Sequence, residues 1–104
     1  MFWLGTKKKL VVEFSSQVAD ELFSSVPLTL VDRHLSGKSK KATKQFQNGV
    51  ENALLRIAQF KATEKPGIYG KAKLHQVFAL RLKELGYPEE LADEINNYIL
   101  TKTP

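Results

Sequence analysis

The chain has no cysteine among its 104 residues. That excludes disulfide staples, thiolate metal sites and a cysteine nucleophile, and it fits a reducing, cytoplasmic setting. Histidine is equally sparse, with only His34 and His75, forty-one positions apart. Asp32 stands two residues before His34, so on one helix the two point to different sides. No further ligands follow at a metal-binding spacing, so no metal and no cofactor are expected. Both histidines read as surface or partly buried structural residues. No apolar run approaches the roughly 18 to 20 residues that cross a bilayer. The start, MFWLGTKKKLVVEF, is not a signal peptide, because its apolar part precedes the lysines and no cleavage region follows.

Acid is scarce in the middle of the chain. Residues 33–83 hold twelve Lys or Arg and two Glu, whereas residues 84–104 hold one Lys and five Asp or Glu. The net charge of +5 therefore understates a basic centre beside an acidic end. The hydrophobic fraction of 42% is ordinary for a folded protein, and the length fits one small domain over 1–104.

The stretch that organises the rest is Lys44–Lys61. Phe46, Val50, Ala53, Leu54, Ile57 and Phe60 recur at steps of three and four, which places them on one side of a helix. Such a stripe must be covered by other helices. Gly49 inside it reads either as simple tolerance or as the close approach of another helix. Before it, Met1–Lys9 reads as an arm that packs Phe2 and Trp3 against the helices, and Leu10–Phe14 is open to strand or helix. The helical reading runs from about Lys9 to Ser25 with Leu10, Phe14, Val18, Leu22 and Val26 inward; the alternative starts later, with Ser15 or Ser16 as N-cap. Pro27 ends this element.

Leu28–Leu35 reads as a short helix, with Thr29 and Asp32 resembling a capping pair. Ser36–Lys44 reads as a mobile basic loop, and Thr63–Gly67 as a turn. A further helix carries Leu74, Val77, Phe78, Leu82 and Leu85 and stops at Gly86. Pro88 then opens the last helix at its first position, with Leu91, Ile95, Tyr98 and Ile99 inward. Thr101–Pro104 is a tail. The fold expected is all-α, a compact bundle of four to five helices.

Three motif readings fail on their own terms. Ser36-Gly37-Lys38-Ser39 ends like a P-loop, but Asp32 stands where its first glycine belongs and a helix, not a strand, precedes it. Leu85-Gly86-Tyr87-Pro88 resembles the loop of ubiquitin-associated domains, where a Gly–aromatic pair follows the first helix. The match stops after the last two helices and lacks the third that those domains need, so it is taken as a shared turn. The same pair as a helix-turn-helix would push four carboxylates at DNA phosphates.

What remains are the lysine clusters Lys38, Lys40, Lys41, Lys44 and Lys61, Lys65, Lys71, Lys73, the second joined by Tyr69. With no nucleophile, base and oxyanion-hole set, the chain is not expected to be an enzyme. The leading expectation is a binding or adaptor module acting on a protein partner or a second copy, through Phe2, Trp3 and the basic loops. The alternative is a nucleic-acid-binding accessory protein whose lysines hold phosphates while Tyr69 stacks a base. Phe2, Trp3 and Lys7–Lys9 also suggest peripheral membrane contact, but so few apolar residues bury too little area to hold it alone.

Overall fold

The computed structural model describes residues 2–104, with side chains from Lys8 onward. Five helices follow one another: α1 Phe2–Ser25, α2 Leu28–Ser36, α3 Lys40–Glu64, α4 Gly67–Leu85 and α5 Glu89–Lys102. They pack into an elongated bundle of 50 × 23 × 19 Å around one continuous apolar core. Among the described residues no helix is long and apolar enough to cross a membrane.

Leu10–Phe14 lies inside α1, so the strand reading gives way to the helical one. Ser15 is not a cap either. It is buried in mid-helix, and its hydroxyl donates to the Val11 carbonyl at 2.6 Å, which satisfies a polar group that has no water. The inward stripe also has a different phase from the expected one. Val11, Ser15, Val18, Ala19, Leu22 and Val26 are buried, whereas Leu10 is exposed at the edge and Phe14 half-buried. A strict step of four drifts about 40° around the helix each time, so Leu10 and Val26 cannot share a face. Mixed steps of three and four hold the stripe in place. The arm expected at Met1–Lys9 is helical instead, its backbone belonging to α1 from Phe2 onward, while the side chains of Phe2 and Trp3 lie outside the described residues.

Caps set the remaining boundaries. Pro27, extended at φ −69° and ψ 167°, is the N-cap of α2, and its carbonyl receives the amides of Leu30 and Val31. Thr29 therefore sits within the helix and the Thr29–Asp32 pair caps nothing. Gly37 closes α2 at φ 71°, a left-handed conformation that glycine adopts without penalty. Ser39 then caps α3, its Oγ accepting from the Ala42 amide at 3.1 Å. This cap starts α3 four residues before the apolar spacing does. The expected loop Ser36–Lys44 shrinks to Gly37–Ser39, and Lys40, Lys41 and Lys44 are helical.

At the far end α3 runs to Glu64, and α4 begins at once from Gly67, which puts Tyr69, Lys71 and Lys73 on helix rather than loop. Gly86 stops α4 at φ 118°, and the Tyr87 amide reaches back to the Leu82 carbonyl at 3.1 Å, as a Schellman closure does. Pro88 is the N-cap of α5 rather than its first residue.

α1 packs most extensively on α4 and also on α3; α5 packs on α4 and α3, and α2 on α3. Ile57, Leu74, Phe78, Leu82 and Ile99 fill the centre. Gly49 lies where α1 ends against α3. A Cβ there would stand 2.5 Å from Val26 Cγ2, so close helix approach is the reason for the glycine. Tyr87 donates to the Val26 carbonyl at 2.6 Å and ties the α4–α5 junction to the end of α1. Burial pushes its phenol well above the ordinary range. Ion pairs sew the outside: Arg56 with Glu21, Arg81 with Asp20, and Lys83 with Asp93.

Candidate functional site

Where α2 ends beside α3 and α5, the helices leave a cleft of about 590 Å³. Its apolar surface comes from Leu35, Phe46, Val50, Leu91 and Ile95, with Tyr98 at one end. Each helix contributes one face: residues 46, 50 and 51 lie a turn apart on α3, and 91, 94, 95 and 98 form the matching row on α5. Val50, Leu91 and Ile95 are buried, while Leu35 stays 58% exposed and Tyr98 40% exposed. The cleft therefore has an apolar floor and a solvent-facing rim.

Two contacts fix that rim. The His34 ring stacks on Phe46 at 4.2 Å between centroids, and its Nδ1 is hydrogen-bonded to Thr43 Oγ1 at 3.0 Å. Tyr98 donates its hydroxyl to Glu51 Oε2 at 3.0 Å, across from α5 to α3. That bond raises the Tyr98 phenol above its ordinary value, because the neutral form is the donor. Glu51 stands on the α3 wall and Glu94 on the α5 wall, both exposed. Among the described residues no Lys or Arg lines this cleft, although the chain holds sixteen. An acidic pair of walls thus lines this groove in a basic protein.

A second polar cluster is closed rather than open. Lys61, at the end of α3, is buried, and its Nζ donates to His75 Nε2 at 2.8 Å and to Thr103 Oγ1 at 2.7 Å. An ammonium has only donors, so Nε2 accepts and the ring proton sits on Nδ1, which donates to Asn96 Oδ1 at 2.8 Å. The Thr103 hydroxyl in turn donates a hydrogen bond to the Ile99 carbonyl at 2.8 Å. Desolvation, with the nearby charge of Lys71, lowers the Lys61 amine to about 8. Desolvation likewise holds His75 below the usual histidine value. The cluster fastens the end of α5 and the start of the tail to α3 and α4. His75, expected at the surface or partly buried, is thus buried, with both ring nitrogens hydrogen-bonded.

The lysines named from the sequence do not converge. Lys38 is exposed between α2 and α3, and Lys40, Lys41 and Lys44 are exposed on the first turns of α3. Lys65 sits at the opposite end of that helix, with the 81% exposed Tyr69 and the half-buried Lys71 and Lys73 beyond it. Along α3, Lys44 and Lys65 are about 31 Å apart. Neither group lines the cleft of Leu35, Phe46 and Ile95. The cleft had no signature in the sequence, since it joins residues from three helices whose packing the spacing does not state. Comparison of the chain with protein-family models, with curated proteins and with solved structures found no match.

Proposed function

We propose that this chain is a small helical binding module that acts through protein contacts, with the α2–α3–α5 cleft as its docking surface. One observation carries the reading: apolar side chains of three helices form a recessed floor whose rim remains open to solvent. Clefts between helices of a bundle are a common place for ligands and for partner helices. No catalytic role is assigned to the chain. The lack of cysteine suits work in a reducing cytosol.

Site-directed photo-crosslinking in cells tests the docking reading. A benzophenone side chain at Gln47, which lines the cleft and is exposed, should give discrete crosslinked products that Leu35→Glu abolishes. The same group at Leu80, exposed outside the cleft, should not give them. Equal crosslinking from both positions, or none from Gln47, removes the cleft as the docking surface.

A second reading rests on a different observation. Lys38, Lys40, Lys41 and Lys44 are exposed, form no ion pair among the described residues, and crowd the N-terminus of α3, where no acidic residue offsets them. Positive charge there opposes the helix dipole and suits contact with phosphate. A nucleic-acid accessory role predicts binding of mixed-sequence DNA or RNA that weakens steeply with salt. The loss of that binding on replacing the four lysines by Ala supports the role; no binding at low salt ends it.

A further inference from the structure

We propose that the occupant of the α2–α3–α5 cleft is a short amphipathic helix with a basic rim: apolar anchors on one face, flanked on both sides by Lys or Arg. The inference rests on the docking reading above and adds the chemistry of the partner. Length comes first. The lining residues span Phe46 to Glu51 on α3 and Leu91 to Tyr98 on α5, which is about 8 to 11 Å of helix axis. That matches about two turns of a partner helix, whose anchors at i, i+3 or i+4, and i+7 would meet the apolar floor.

Charge comes second. The cleft has one carboxylate on each wall, Glu51 on α3 and Glu94 on α5. A helix seated between the walls presents its flanking positions to both. Glu51 is already oriented by the Tyr98 hydroxyl, and one of its oxygens stays open to a second donor. Glu94 has no side-chain partner among the described residues. Lys102 packs over the Tyr98 ring at 5.9 Å, at the end of the cleft rather than along its walls. The partner's cations thus meet carboxylates on both sides, and among the described residues no Lys or Arg lines the cleft to oppose them.

The test uses the full chain, labelled with ¹⁵N, and two synthetic helical peptides with identical leucines. One carries lysine at every flanking position and the other glutamate. The lysine peptide should shift the amide resonances of Gln47, Asn48, Glu51 and Glu94, and the glutamate peptide should not. Glu51→Gln with Glu94→Gln should weaken the lysine peptide by about tenfold or more. Both carboxylates are exposed, and glutamine keeps an acceptor for Tyr98, so the variant should melt with the wild type. Equal affinity for the two peptides overturns the inference but leaves docking intact. Shifts of the same residues by spermine alone, with the peptide no tighter, overturn it in favour of a small cation. Failure of the lysine peptide to shift these residues also overturns it; only loss of the Gln47 crosslinks removes the docking surface itself.

Discussion

Lys61 and His75 meet at 2.8 Å between α3 and α4, with the amine as donor and the imidazole Nε2 as acceptor. Both groups are held below their ordinary pKa values, so the fold favours both neutral forms. The sign follows from proton counting. Between about 8 and the usual lysine value of 10.5, the unfolded chain keeps a proton that folded Lys61 has released. Stability contributed by this site therefore rises with pH across that window. Below 6.5 the unfolded histidine protonates before His75 does, so stability falls as the solution becomes acidic. Urea unfolding from about pH 5 to about pH 10 should show both slopes. Lys61→Met should remove the alkaline slope and leave a chain that still folds.

Gly49→Ala is expected to destabilise although alanine is the better helix former. The added methyl would stand 2.5 Å from Val26 Cγ2 and 3.3 Å from Leu22 Cδ1, and both side chains are buried. Overpacking of this kind costs about 1 to 3 kcal/mol, more than the roughly 1 kcal/mol that helix propensity returns. When combined with Gly49→Ala, Val26→Ala should cost less than it does in the wild type. A double-mutant cycle by thermal unfolding checks that coupling.

Tyr87→Phe removes the hydroxyl that reaches the Val26 carbonyl at 2.6 Å and leaves that buried acceptor without it. The expected loss is about 1 to 3 kcal/mol. It should appear as a lower urea midpoint with an unchanged slope, because the exposed area on unfolding is the same.

Replacing Lys40, Lys41 and Lys44 with Gln should stabilise the fold at low ionic strength. Lys40 and Lys41 lie in the first turn of α3 and oppose the dipole, and relief is worth about 0.3 to 1 kcal/mol for each of these two charges. The gain should fade in high salt, as screening weakens the repulsion. A melting temperature that is unchanged at low salt would show that these charges are already neutralised.

The α3 stripe was legible because apolar residues at steps of three and four leave one geometric solution, and Val50, Ala53, Leu54, Ile57 and Phe60 are buried as that solution requires. The glycine stop at Gly86 was equally legible from local chemistry. The phase of α1 was harder, because Leu10 and Val11 are both apolar neighbours and only tertiary contact selects between them. The starts of α3 and α4 were misplaced because caps and a short turn, not apolar spacing, decide them. Tyr98 reads as inward by spacing, yet it stands 40% exposed because it reaches across to Glu51 at the rim. Lys61, His75, Asn96 and Thr103 are drawn from three helices and the tail, so nothing in their spacing announces a cluster. The cleft is invisible for the same reason.

The pairing of α1 with α4 has a consequence for how the chain assembles. The partner that covers α1 most fully is made only after α2 and α3 have been completed. The Val26–Tyr87 bond, spanning sixty-one residues, closes later still. Helical bundles usually gain speed from contacts between sequence neighbours, and here the decisive contact is distant. A nascent chain that ends before Gly67 would lack the helix on which α1 packs most extensively, so α4 acts as the keystone of the fold, and shortened forms of the chain should associate through α1 until it arrives.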